Sequence, residues 1–163
     1  MENTKEEIRN PGEIVVETPK GINEPFDKVW KMYTEPGHIM RWNQASPDWH
    51  CPYVTKNEVS KDGEFNIRME ARDGSDGFDF KGVYSEVPDE RALADERNSK
   101  FLAYTLDDDR RVRIEFIPQG NSTHIRVVFQ PENKNTPEMQ QEGWQAILNN
   151  FKEYAEKYGN KLD

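Results

Sequence analysis

A single cysteine, Cys51, in 163 residues excludes an internal disulfide and suits a reducing compartment. No cationic run flanks it, so it reads as a small, buried or half-buried filler rather than a reactive thiol. Long apolar runs are missing too. Nothing approaches the roughly 20 residues that cross a bilayer, and the opening Met1-Glu2-Asn3-Thr4-Lys5-Glu6-Glu7 lacks a signal peptide's apolar stretch. The expectation is a cytoplasmic protein with no membrane insertion. Basic residues are in deficit: 22 Lys and Arg face 31 Asp and Glu, a net charge of −9 whose field repels phosphate backbones and anionic headgroups. Nucleic acid is therefore not an expected partner.

Signature motifs of the large enzyme classes are absent as well. There is no Gly-x-Ser-x-Gly, phosphate loop, nucleotide fingerprint or zinc-protease helix, and Gly74-Ser75-Asp76-Gly77 reads as a turn. His38, Asp48 and His50 come nearest to a metal set. Their spacing does not place them on one face of an element, and no further Cys or His cluster completes them. Neither a metal nor a cofactor is expected.

What the chain does have is aromatic residues. With 8 Phe, 6 Tyr and 4 Trp it holds enough large apolar surface to offset chain entropy, so it folds, although its hydrophobic share is 34% and its charged share 33%. The length suits one domain. Residues 1–12 are polar, lack an apolar period and end in Pro11-Gly12, which reads as a flexible arm; the domain then spans 13–159, with 160–163 as a tail. Ile14-Val15-Val16-Glu17-Thr18 is strand-like. Phe26, Val29, Trp30 and Tyr33 form a helical face after Pro25, and a second short helix is expected over His38 to Trp42. The period then falls to two: Phe65, Ile67, Met69 and Ala71 alternate with polar residues, as do four later runs ending at Phe129. Short loops between successive runs predict an antiparallel meander.

Beyond Pro131 the helical period returns. Thr136 is placed to cap, Pro137 fits the first helical position, and Trp144, Ile147, Leu148, Phe151, Ala155 and Tyr158 make one stripe up to Gly159, expected to stop the helix. Segregated strands and helices give an α+β class, and the stripe must bury itself on the concave face of a curved antiparallel sheet of about six to seven strands. A curved sheet and one helix leave space between them, a plausible cavity.

Pro25-Phe26-Asp27-Lys28-Val29-Trp30, Pro36-Gly37-His38-Ile39-Met40-Arg41-Trp42 and the Gly143-Trp144 that opens an aromatic-rich terminal helix resemble the START-like, polyketide-cyclase superfamily with its helix-grip fold. Trp42 to His50 and Arg68 to Gly74 resemble bacterial members of the branch named for the activator of the heat-shock-protein-90 ATPase. The likeness runs from about Glu13 to Tyr158. Asp89 to Lys100 departs from it, being longer and more charged, and could be a surface loop or an extra helical turn.

The resemblance implies a pocket between sheet and helix. Its mouth would carry Trp42, Trp49 and His50; its sheet wall Phe65, Met69, Phe78, Phe80, Tyr84 and Tyr104; its helix wall Met139, Gly143 and Ile147. Ordinary core packing is the plain alternative for each. The implied function is noncovalent binding of a small apolar or amphipathic molecule by a monomer or weak homodimer. Two alternatives are a chaperone-interacting protein and a cyclase or dehydratase-type enzyme, for which Asp48, His50, Arg68 and Arg113 would be acid–base candidates.

Overall fold

The computed structural model describes residues 12–162. The expected N-terminal arm, Gly12 apart, lies outside the described residues. Strand β1 (Ile14–Glu17) turns Ile14 and Val16 into the core. Lys20 and Gly21 then reverse the chain in the left-handed region, at φ 57° and 69°. Helix α1 (Phe26–Thr34) and helix α2 (Pro36–Trp42) follow. The second helix starts two residues earlier than its apolar spacing predicts, because Pro36 needs no partner for a missing N–H at a helix start.

Two short strands then escape the period-2 reading: β2 (Trp49–His50) and β3 (Val54–Asn57). The meander proper is β4 (Glu64–Ala71), β5 (Gly77–Glu86), β6 (Lys100–Leu106), β7 (Arg111–Gln119) and β8 (Ser122–Phe129), each antiparallel to the next. At one end β1 pairs with β8; at the other, β2 and β3 share the outer edge of β4. Eight strands thus fill seven positions of one curled sheet. Between β5 and β6, Asp89 accepts from the Ala92 N–H and starts a short helix α3 (Glu90–Ala94), so the charged segment is a helical turn plus a loop. The loop is held by buried Lys100, whose ammonium donates to the carbonyls of Asp95 and Asn98 and lies 4.8 Å from the centre of the Phe26 ring.

Helix α4 (Pro137–Tyr158) fills the concave side. Thr136 accepts from the Met139 N–H at 3.1 Å, the expected cap, and Pro137 occupies the first turn. Leu148, Phe151, Tyr154 and Ala155 are buried along it. Gly159 does not end the helix in a left-handed conformation: its φ is −59°, and a 3₁₀ turn (Gly159–Lys161) continues into the expected tail. Glycine is needed there because a Cβ would run into the Glu24 carboxylate.

The way α4 is tethered sets the position of the site. On one flank Gln145 donates to the Glu17 carbonyl at 2.8 Å and Gln141 to that of Val15 at 3.2 Å, drawing the helix towards β1. On the other, Phe151 makes edge contacts with Tyr33 and Trp42, tying the helix to α1 and α2. Trp144 lies flat on Phe129 at 4.2 Å. These ties are to β1, β8, α1 and α2; opposite β4 and β5 the helix stands off, apart from an edge contact of the Trp144 ring with Phe80 at 6.1 Å. Among the described residues, no helix is long and apolar enough to cross a membrane.

Candidate ligand-binding cavity

The gap between α4 and the β4–β5 half of the sheet is a cavity of about 320 Å³. Its sheet wall comes from the inward positions of three neighbouring strands. Phe65, Ile67 and Met69 of β4 stand opposite Gly82, Phe80 and Phe78 of β5, and Tyr84 pairs with Tyr104 of β6. Gly82 makes this face possible, since a Cβ there would run into the Thr105 carbonyl oxygen and press on the Phe65 ring at 3.1 Å. Gln140, Trp144, Ile147 and Leu148 form the helix wall, and Tyr33, Ile39, Trp42 and Asn43 close the end under α1 and α2. Arg110 and Glu132 lie at its charged margin.

Most of this lining is aromatic or aliphatic, with a few polar atoms placed among it. The Tyr84 hydroxyl donates to Asn57 Oδ1, and Asn57 Nδ2 donates to the Thr34 carbonyl at 2.7 Å. Burial pushes the phenols of Tyr33, Tyr84 and Tyr104 above their ordinary range, and Tyr33 and Tyr84 further oppose ionisation of Tyr104. All three are neutral donors near pH 7. At the margin, Arg110 holds Asp108 at 2.8 Å. Gln140 clasps the loop before α4: it receives the Glu132 N–H and donates to the carbonyls of Glu132 and Asn135. Hydrogen bonds from the Asn135 side chain and the backbone N–H groups of Asn135 and Lys134 hold the Glu132 carboxyl below its ordinary range.

Of the residues nominated from the sequence, Trp42, Phe65, Met69, Phe78, Phe80, Tyr84, Tyr104 and Ile147 line the cavity. Trp49, His50, Met139 and Gly143 do not. The Trp49 ring packs 6.0 Å from that of Phe78. His50, on β2, faces Glu70 across the sheet edge. Met139 is 58% exposed, and a Cβ at Gly143 would meet nothing within 4 Å. Thus α4 supplies a wall, but through Gln140, Trp144, Ile147 and Leu148. Trp144 and Leu148 were already in the predicted stripe; a stricter phase would have added Gln140, which lies seven residues before Ile147 on the same face. Tyr33 belongs to the helical face read for α1, which announced only core packing, and Asn57 escaped because a lone polar residue on a four-residue strand carries no periodic signal.

The acid–base candidates are dispersed. Arg68 pairs with Glu70 and Asp79, Arg113 pairs with Glu86 and covers the Phe101 ring, and neither they nor Asp48 and His50 line the cavity. His124 bridges Glu17 at 2.7 Å and Thr18 at 3.1 Å, a cross-strand clamp between β8 and β1. Cys51 is buried, its thiol pushed up to about 11 by burial. Among the described residues no group of three or more His, Cys, Asp or Glu is arranged to hold a metal. A second hollow, of about 360 Å³, lies on the sheet's outer face between charged residues such as Arg111, Arg113 and Glu115. Among the described residues, only Phe101 and Tyr104 contribute rings to it.

A family model described as activator of Hsp90 ATPase homolog 1-like protein matches residues 23–156. The chain belongs to this family. Among solved structures, the AHSA1-like protein from Aeromonas hydrophila shares 36% identity, with 90% of this chain and 94% of that one covered and a TM-score of 0.76. Chr148 from Cytophaga hutchinsonii shares 41% identity, covering 93% of this chain and 96% of that one, at a TM-score of 0.68. CV1439 from Chromobacterium violaceum, 18% identical over 90% of this chain and 99% of its own, shares the fold at a TM-score of 0.72. Comparison with curated proteins yields no match. The family membership fits the helix-grip architecture: a curled antiparallel sheet, short helices after the first strand and one long C-terminal helix.

Proposed function

We propose that this family member binds one small apolar or amphipathic molecule noncovalently in the cavity between the sheet and α4. The observation that carries the reading is an aromatic-walled internal space interrupted by a few oriented polar atoms, the composition of small-molecule sites. Trp42, Phe65, Met69, Phe78, Phe80, Tyr84, Tyr104 and Ile147 are the proposed contacts, together with Trp144 and Leu148. Affinity would come from burying the ligand's apolar surface. At about 0.3 kcal/mol per non-hydrogen atom, a ligand of roughly 20 atoms gains about 6 kcal/mol, a Kd of roughly 40 µM.

The test is a titration of Nile red, a neutral polarity-sensitive dye, against wild type and Ile147→Trp, with thermal melts of both. The account expects dye binding by wild type, loss of it in the variant, and little change in melting temperature, since the indole enters empty space. A well-packed interior would instead be overpacked, costing about 1–3 kcal/mol, and wild type would not bind the dye. The family description supports a second reading, stimulation of a chaperone ATPase. Adding the protein to purified Hsp90 and following ATP hydrolysis tests that reading directly.

A further inference from the structure

Three phenols look into one apolar cavity, and their hydrogen bonding is unequal. The Tyr84 hydroxyl is spent on Asn57 Oδ1, which in turn is fixed by the Thr34 carbonyl. Tyr104, only 7% exposed and paired across the strands with Tyr84, has no hydrogen-bond partner for its hydroxyl among the described residues. The same is true of Tyr33, whose ring is wedged between Trp42 and Phe151 at 5.0 Å from each. Neither hydroxyl is sealed off from the cavity space, so each can be hydrated while the cavity is empty. A ligand that displaces this water without offering an acceptor would leave two buried donors unpaired, which points to an acceptor arriving with the ligand.

Charge restricts that acceptor further. Arg110 is the one cation among the described lining residues, and its guanidinium is already engaged by Asp108 at 2.8 Å. Glu132, the one lining carboxylate, is tied to Asn135 and two backbone N–H groups. An ionised head inside the cavity would therefore lose its hydration with no free counter-charge to replace it. A carbonyl oxygen avoids this: it is uncharged and has two lone pairs, one for each phenol.

We propose that the ligand is an uncharged molecule whose buried end carries a carbonyl oxygen, received by the hydroxyls of Tyr104 and Tyr33. This deepens the binding reading above and rests on it. Probes with one shared bicyclic frame separate the two ideas: 1-indanone has the carbonyl, indane lacks it, and indane-1-carboxylate carries a charge. Each is titrated by NMR into wild type, Tyr104→Phe and Tyr33→Phe/Tyr104→Phe; the substitutions keep every ring, and melts check the fold. Wild type is expected to bind 1-indanone about fivefold or more tighter than indane, and the carboxylate more weakly than either. The ketone's advantage shrinks in the single variant and vanishes in the double one, while indane affinity stays constant. The infrared carbonyl band of bound 1-indanone, lowered by hydrogen bonding in wild type, returns towards its value in apolar solvent in the double variant. Equal binding of ketone and hydrocarbon by wild type, a ketone advantage that survives both substitutions, or tightest binding of the carboxylate would overturn the inference and leave cavity binding standing. Failure of all three probes to bind up to the solubility of indane would overturn cavity binding itself.

Discussion

Truncating Phe151 to alanine probes the joint on which the cavity depends. The side chain is 0% exposed, and its ring meets Tyr33 at 5.0 Å and Trp42 at 4.8 Å, both near-perpendicular. A buried Phe→Ala change costs about 3–5 kcal/mol, and two edge contacts worth about 0.5–1.5 kcal/mol each place this one in the upper half of that range. A loss near 4 kcal/mol is a large part of the roughly 5–15 kcal/mol that holds a domain together. For a chain of this length it lowers the melting temperature by about 8–16 °C. The neighbouring Lys152 supplies the control: it is only partly buried and donates to the Pro19 carbonyl at 2.6 Å, so Lys152→Ala should cost under about 1.5 kcal/mol. Urea titrations followed by circular dichroism give both numbers. Comparable losses at the two positions, or a Phe151→Ala loss below about 1.5 kcal/mol, would refute the packing of α4 against α1 and α2.

Three further outcomes follow from single environments. Gly143→Ala should stabilise by about 0.5–1 kcal/mol, because the new methyl meets nothing and glycine is a poor helix former; a lower melting temperature would contradict the open surroundings of that position. Lys100→Met should cost about 1–3 kcal/mol and speed amide exchange over residues 95–99, since it strips the Asp95 and Asn98 carbonyls of their donor; unchanged exchange there would be the contrary result. Alkaline unfolding should be steep. Tyr33, Tyr84 and Tyr104 have folded values above the unfolded value near 10, so the folded state keeps more protons at high pH. Stability, undiminished by these groups below pH 10, should fall above it by up to about 4 kcal/mol per pH unit, at about 1.4 for each phenol. Their phenolate absorbance should rise only with unfolding, and a gradual rise in the folded protein would count against burial of the cluster.

How far the sequence could be read depended on periodicity. The inward residues of β4, β6, β7 and β8 and the stripe of α4 repeat regularly, so their burial was legible; β5 has the same period, but its Phe78 is left 48% exposed beside the cavity. Asp89 capping α3 was not, because one capping aspartate in a charged segment looks like any solvated residue until its N–H partner is known. β2 and β3 are too short, and interrupted by Pro52, to show a period. Of the cavity, the aromatic sheet wall was visible. Its polar chemistry was not: Tyr33 sits on a short helix whose apolar spacing announced only core packing, Asn57 gains meaning from Thr34 and Tyr84 far along the chain, and Gln140 from backbone groups of the loop just before α4.

The central claim is that apolar molecules enter the space between α4 and the sheet. Isotope-filtered NMR on labelled protein saturated with indane tests this most directly, because nuclear Overhauser contacts report proximity atom by atom. The account predicts contacts from the probe to the methyl groups of Ile67, Leu102, Val127, Ile147 and Leu148, all of which line the cavity. Contacts confined to outer-face residues such as Val83 and Val128 would contradict it.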